Sequence, residues 1–116
     1  MAQTLPLLRT MDKDGPQAYY RESFRQVLEE HIPWFIANGF VHVMTVEPYQ
    51  AVAAEFDFYS LLTELKVPIQ HHWFILRLNG MTAPHEYRAE RTAIYIPDFN
   101  VIERMRANHQ TIHRIA

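Results

Sequence analysis

Seven histidines are the residues of this 116-residue sequence with the widest chemistry, since an imidazole can bind metals and transfer protons near neutral pH. His71 and His72 are adjacent, so on a helix their side chains point about 100° apart and do not easily share one metal ion. His109 and His113 are four residues apart, a spacing that can place two zinc ligands on one helix face. Because no third ligand is obvious and no HExxH is present, we interpret the histidines as helix-surface or interface residues, with zinc as the alternative.

Paired carboxylates would indicate glycoside hydrolysis, because that reaction needs two of them facing each other across a cleft. Glu55 and Asp57 precede a predicted helix and Glu64 lies within it, but nothing in their spacing makes two carboxyl groups face each other. The sequence also lacks a G-x-S-x-G and a phosphate-binding loop, and its three glycines lie at predicted turns. We therefore predict that the protein is not an enzyme and uses no cofactor or metal, with a small peptidoglycan hydrolase as the alternative.

Two aromatic doublets, Trp34-Phe35 and Trp73-Phe74, lie on stretches with almost no polar side. A small domain cannot bury every face of two such stretches, so part of this surface is expected to contact a partner, although each doublet could also be core. The last predicted helix adds an apolar stripe. The predicted partner-contact residues are Trp34, Phe35, Trp73, Phe74, Ile102 and Met105.

Composition limits the possible functions. The net charge is −2 with 21% charged residues, which disfavours a dedicated nucleic-acid binder, because such proteins carry a basic face. The absence of cysteine excludes a disulfide framework, a thiol nucleophile and a thiolate metal site. The sequence shows neither a secretory signal pattern nor an apolar run long enough to cross a membrane, so we expect a protein without a membrane partner.

The elements that position these residues follow from hydrophobic spacing and from the residues that begin and end helices. Asp14-Gly15-Pro16 marks a helix start, and an apolar stripe follows it. The stripe is Tyr20, Phe24, Val27, Leu28 and His31. Pro33 falls near the end of this helix, a short turn continues from it, and Gly39 is a stop. Residues 1–14 form an arm that is expected to lie on the domain or on a neighbouring subunit.

The remaining elements alternate between strand and helix. Residues 40–46 are β-branched and aromatic and predict a strand, which residues 49–53 could resume after Pro48. Asp57 is expected to cap a helix over 58–66, and a second helix over 70–78 stops at Asn79-Gly80. After a loop over 81–91, the sequence predicts a strand over 92–96 and a last helix capped by Asp98.

Three segments of the middle region resemble a LysM module. Residues 58–68 (FYSLLTELKVP) resemble its first helix and the following turn, and residues 76–84 (LRLNGMTAP) resemble its Leu-x-x-Asn-Gly-Leu-x-x-Pro stretch. Residues 93–97 (AIYIP) resemble its closing strand. The resemblance covers about residues 42–97 and implies two short helices packed on one face of a two-stranded sheet.

The resemblance implies a glycan site formed by two loops. The site would use Asp57, Asn79, Gly80, Met81 and Thr82 to bind peptidoglycan or a chitin-type chain. However, LysM modules that bind glycans usually carry Gly-Asp-Thr before the first helix, and this sequence has Glu55-Phe56-Asp57 there. Glutamate and phenylalanine remove the backbone freedom and space that glycine supplies.

A LysM-like module between extra helices resembles the baseplate wedge proteins of contractile-tailed bacteriophages, which use such a domain as a structural connector. The resemblance implies an α+β chain divided into an arm (1–14), a helical segment (15–41), the LysM-like module (42–97) and a C-terminal helix (98–116). The expected function is that of a virion tail component, assembled in the host cytoplasm, that joins other baseplate proteins in a multi-subunit ring. Glycan binding is the alternative function.

Overall fold

The computed structural model describes residues 21–115, with side chains as far as residue 109. In that part of the chain, six α-helices and a two-stranded antiparallel sheet form an α+β domain, as predicted at that level. The helices are α1 (Glu22–Glu30), α2 (Ile32–Ala37), α3 (Pro48–Ala53), α4 (Phe58–Glu64), α5 (His72–Leu78) and α6 (Phe99–Ile115). The strands are β1 (Val41–Thr45) and β2 (Ala93–Pro97), and short 3-10 turns cover Ile69–His71 and Pro84–Glu86. The predicted arm and the Asp14-Gly15-Pro16 helix start lie outside the described residues.

The predicted stripe of the first helix is confirmed for its described members. Phe24 and Leu28 of α1 are buried, and Val27 and His31 are partly buried. Pro33 lies in the first turn of α2, where its missing N–H breaks no helical hydrogen bond. The proline therefore separates two helices, and the predicted turn after it is a helix.

Glycines end α2 and α5, as their positions predict. Gly39 and Gly80 have φ angles of +74° and +82°, which a side chain would strain. Phe40 N–H donates to Phe35 O at 2.9 Å, and Met81 N–H donates to Leu76 O at 3.1 Å. Each bond closes a helix end in the Schellman arrangement and turns the chain toward a strand or a loop.

The predicted strand over residues 49–53 is wrong, because these residues form α3. Pro48 occupies the first helical position, which its fixed φ favours. Gln50 Oε1 accepts from Glu47 N–H at 3.3 Å, which satisfies a donor at the helix start. As a result, three α-helices separate the two strands, where the sequence predicted two.

Two hydrophobic cores lie on opposite faces of α5. The central core packs α3, α4 and the sheet against α5, and its largest buried side chain is Tyr87. It consists of Val46, Ala51, Ala54, Phe58, Leu61, Leu62, Ile75, Leu76, Met81, Tyr87, Ile94 and Ile96. The flanking core packs α1, α2 and α6 against the other face of α5 and consists of Phe24, Leu28, Phe35, Phe74, Val101 and Ile102.

The sheet has one covered face and one open face. Its register pairs Val41 with Pro97, Val43 with Tyr95 and Thr45 with Ala93. Because side chains alternate along a strand, Ile94 and Ile96 point into the central core and Tyr95 points away from it. Val43 is 59% exposed and Tyr95 is 49% exposed, so this pair leaves an apolar stripe on the open face.

Candidate functional site

The six predicted partner-contact residues divide into core and surface. Phe35, Phe74 and Ile102 are buried in the flanking core, so as partner contacts they are wrong: they have no surface to offer. Adjacent residues on a helix point about 100° apart, so burying the phenylalanine of a Trp-Phe doublet leaves the tryptophan at the surface. Trp34, Trp73 and Met105 do retain exposed area.

Trp34 is the most exposed of the predicted contacts, at 42% of its full area. Its ring lies 5.2 Å from the ring of Phe40 and 5.4 Å from that of Phe35, measured between centroids. His31 approaches edge-on at 5.9 Å. The indole is therefore held in place by three rings while one side faces solvent, a combination that favours a contact residue.

Trp73 lies between two surface clefts. The Arg25 guanidinium lies 4.8 Å from its ring centroid, in cation–π geometry. One cleft, of about 750 Å³, is lined mainly by polar side chains of α1: Glu22, Arg25, Gln26, Glu29 and Glu30. The other, of about 340 Å³, runs past Tyr59, whose pKa is raised because burial disfavours the phenolate. Trp73 is thus already covered on one face by its own domain.

Several exposed apolar side chains were missed by the sequence analysis. Tyr49 and Val52 lie three residues apart on α3 and are both largely exposed, as is Ile69 in the turn before α5. Val43 and Tyr95 form the stripe on the open face of the sheet. The spacing of Tyr49 and Val52 would have indicated a helical face, had residues 49–53 been interpreted as a helix.

Asn79, predicted as a glycan contact, is a buried structural residue. Its Nδ2 donates to Ile75 O at 2.7 Å and to Tyr95 O at 3.0 Å, and its Oδ1 accepts from Tyr95 N–H at 2.8 Å. The amide thereby bonds the outer edge of β2 as a neighbouring strand would. Arg91 Nη1 donates to Asn79 O at 2.6 Å. All side-chain hydrogen-bonding groups of Asn79 serve the fold, which leaves it little capacity to bind a sugar.

The segment before α4, which would form one side of the glycan site, is bound to the loop before β2. Phe56 N–H donates to Tyr87 O at 2.8 Å, and Ala89 N–H donates to a carboxylate oxygen of Glu55 at 3.2 Å. The Arg88 guanidinium lies 4.5 Å from the ring centroid of Phe56. Phe56 has a φ of +69°, which is unusual for a residue with a side chain. These contacts join the segment before α4 to the loop before β2.

Three of the other predicted glycan contacts, Asp57, Met81 and Thr82, also make contacts within the domain. Asp57 caps α4, as predicted, by accepting from Ser60 N–H at 3.2 Å. Met81 is buried in the central core. The Thr82 hydroxyl and N–H both donate to Glu86, which lowers the pKa of that carboxyl. Of the five residues, Asp57, Gly80 and Thr82 reach the surface.

The histidine pair at 71 and 72 is buried and does not form a metal site. The ring of His71 lies 4.6 Å from that of Phe99, and burial lowers its pKa to about 4, with nearby Glu103 opposing the shift and His72 adding to it. His72 bonds Val67 O through Nε2 at 2.9 Å. Within the described residues, no three His, Asp or Glu side chains lie close enough to hold a metal ion. The predicted pair of His109 and His113 extends outside the described side chains.

Two of the three carboxylates considered for hydrolysis, Glu55 and Asp57, bond backbone N–H groups of their own domain. Glu55 bonds the loop before β2, and Asp57 caps α4. A different carboxylate, that of Glu29, forms an ion pair with Arg77. Arg77 also donates to Met81 O at 3.2 Å, so this ion pair links α1 to the end of α5.

Comparisons with protein-family models, with curated proteins and with solved structures find no match for the chain. Among the described helices, none has both the length and the apolar character that crossing a membrane requires.

Proposed function

We propose that this chain is a structural connector: a LysM-like module with flanking helices that serves as a baseplate wedge subunit of a contractile phage tail. The helices and the strand that resemble a LysM module pack together in one core, and this arrangement supports the proposal. The helices α4 and α5 and the strand β2 share the central core, and β1 pairs with β2. The additional helix α3 packs on the same core through Ala51.

We choose a connector over a glycan binder because polar groups around the implied sugar site already bond other groups of the domain. A polysaccharide site needs an open groove with polar groups free to bind hydroxyls. Here the side-chain amide of Asn79 bonds Ile75 O and Tyr95 O, and the segment before α4 is hydrogen-bonded to the loop before β2 through Phe56 N–H and Tyr87 O. The segments that correspond to the sugar-binding loops of LysM modules would instead stabilise the fold of this chain.

The exposed apolar side chains that belong to neither core are proposed to contact the partner proteins. Trp34 is held by neighbouring rings, and Trp73 and Met105 are partly exposed. Tyr49 and Val52 offer a second small face on α3. Aromatic residues and methionine are favoured at the centre of protein interfaces, which suits a subunit that joins several neighbours.

The connector proposal is tested in two stages. First, the genes beside this one are inspected, and we expect genes for tail sheath, tail tube and baseplate proteins. Second, where those neighbouring genes are found, the gene is deleted from the phage genome that carries it. We expect the deletion to stop assembly before complete tails form. Supplying the chain in trans should restore complete tails. Restoration should be weaker with Trp34→Ala than with Tyr95→Phe. Normal tails without the gene would overturn the proposal.

Glycan binding is tested directly by sedimentation of the purified chain with insoluble peptidoglycan. We expect no saturable binding. Saturable binding that is lost in Thr82→Ala and retained in Trp34→Ala would overturn the connector function and restore the loop site. A zone of lysis in a peptidoglycan-containing gel would contradict the prediction that the protein is not an enzyme.

A further inference from the structure

The strand β1 pairs with β2 along one edge, and its other edge is open. Antiparallel strands alternate between residue pairs that exchange backbone hydrogen bonds and pairs whose backbone groups point outward. Tyr95 directs its N–H and C=O away from β1, since both bond Asn79. Its cross-strand partner Val43 therefore directs its own N–H and C=O away from β2.

Two further hydrogen bonds fix the same alternation. Val46 N–H donates to Thr92 O at 2.7 Å, and Asp98 N–H donates to Phe40 O at 2.8 Å. Even-numbered residues of β1 thus bond β2, and Val41, Val43 and Thr45 face outward. Within the described part of the chain, no side chain covers this edge as Asn79 covers the edge of β2. The two edges of the sheet are therefore unequal.

The sequence of β1 has none of the features that prevent strand pairing. Val41–Thr45 reads VHVMT, without proline, glycine, lysine or any acidic residue. Edge strands in soluble proteins usually carry a charge, a proline or a bulge that prevents pairing with another chain. His42, Val43 and Thr45 are exposed, so the edge is accessible.

We propose that β1 pairs with β1 of a second copy of this chain, antiparallel and centred on Val43, so that two sheets join into one of four strands. In this register Val43 lies opposite Val43 of the copy, and Val41 lies opposite Thr45. Identical strands with no charged residue meet without like-charge repulsion, and every outward N–H and C=O gains a partner. The register also extends the Val43 and Tyr95 stripe across both copies.

The occupant is a second copy because the edge is complementary to itself. A two-fold axis through Val43 satisfies the backbone groups of residues 41, 43 and 45 together, whereas a charged foreign strand would place its charges beside the apolar Val43 and Tyr95. One short strand pair buries less area than a stable interface requires. The dimer is therefore concentration-dependent and forms where copies are locally crowded. This inference does not depend on the proposed function.

Cysteine cross-linking of the full chain tests the register, because the chain contains no cysteine of its own. Val43→Cys should form a disulfide-linked dimer on mild oxidation, since hydrogen-bonded pairs place their Cα atoms about 5.5 Å apart, within disulfide range. Thr63→Cys, at an exposed threonine of similar size on α4, is the matched control and should cross-link far more slowly. A mixture of Val41→Cys and Thr45→Cys should give the mixed dimer, because two copies of residue 41 lie about 13 Å apart.

Sedimentation over a range of concentrations tests the equilibrium. The unmodified chain should show a dimer fraction that rises with concentration. Val43→Lys places two like charges at the axis, and Val43→Pro removes two donors that face outward. Each should weaken the dimer by at least about tenfold, whereas Thr63→Lys should not. A chain that stays monomeric throughout, with no preferential cross-linking at residue 43, overturns the inference. Dimers that persist in Val43→Lys also overturn it, since they use another surface.

Discussion

The central and flanking cores differ in how their parts are tied together. The central core combines apolar packing with buried polar bonds: Asn79 joins α5 to β2, and the Tyr87 hydroxyl donates to Arg91 O at 2.7 Å. The flanking core relies on rings, with Phe35 and Phe74 at 5.2 Å, and on the ion pair between Glu29 and Arg77. Polar ties require one geometry, whereas ring packing tolerates several.

The helix α5 shows which core depends on the other. On this helix, Ile75 and Leu76 are buried in the central core, and the adjacent Phe74 is buried in the flanking core. The helices α1, α2 and α6 therefore pack on a surface that the central core has to hold in place. The central core, in contrast, takes no buried residue from those three helices. Among the described residues, only the partly buried Phe99 of α6 packs against both cores, so we expect the flanking core to depend on the central core more than the reverse.

Replacing Phe74 by alanine is the strongest test of this dependence. The change should cost about 3–5 kcal/mol of unfolding free energy, because it removes a buried ring between Phe35 and α6. In native-state hydrogen exchange, amides of α1 and α2 should lose protection while those of α4 and the strands keep theirs. Ile75→Ala, one position along, is the control and should lower protection on both sides. Equal loss on both sides in Phe74→Ala would show a single cooperative unit.

Acid should destabilise the protein through His71, which lies between the two cores against Phe99. Its folded pKa is about 4, below the usual 6.5, so the unfolded state takes up the proton first. The contribution of neutral His71 to the unfolding free energy is fully present above about pH 6.5. It is lost as the pH falls toward 4, by at most about 1.4 kcal/mol for each pH unit.

Urea unfolding at several pH values measures this loss. His71→Gln should flatten the pH dependence between 6.5 and 4, whereas His85→Gln, at an exposed position, should leave it unchanged. An unchanged slope in His71→Gln would show that another group controls acid unfolding.

Two Asn-Gly helix ends provide a matched pair for testing the polar ties. Asn38 and Asn79 each donate to the carbonyl four residues earlier, but only Asn79 reaches a strand. Asn79→Ala should cost about 1–3 kcal/mol, and Asn38→Ala less than about 1 kcal/mol, since Asn38 is exposed to water. Thermal and urea unfolding of both variants measure the difference. Equal costs would mean that the Tyr95 bonds add nothing to stability.

The smallest expected effect concerns backbone strain in the central region. Lys66 follows α4 with a φ of +65°, in the position where glycine usually ends a helix. Lys66→Gly should therefore raise the unfolding free energy by about 1 kcal/mol. Phe56→Gly removes similar strain but also the contact with Arg88, so its gain should be smaller. A loss of stability in Lys66→Gly would show that the lysine side chain contributes more than its backbone costs.

Local signals in the sequence predicted much of this fold. Asp57 and Asp98 cap their helices, with Asn100 N–H bonding Asp98 Oδ1 at 2.9 Å, and Gly39 and Gly80 end theirs. These features depend on residues only a few positions apart. The helix α3 was missed because Pro48 was interpreted as interrupting a strand, although proline is equally favoured at a first helical position.

The candidate site was less predictable, because its residues act over longer distances. Asn79 bonds Tyr95, 16 residues along the chain, and no local pattern shows that its amide completes a sheet edge. In the sequence each Trp-Phe doublet resembles one apolar surface, whereas helix geometry directs Phe35 and Phe74 inward. The unequal edges of the sheet follow from the same bonds and are visible only after folding.

The separation of the two strands along the chain has a kinetic consequence. During synthesis β1 leaves the ribosome nearly half a chain before β2, because α3, α4 and α5 all lie between them. Pairing so distant in sequence closes slowly, and helices form sooner. Throughout that interval both edges of β1 lack their partner, so neighbouring nascent chains on one messenger RNA can meet through this strand.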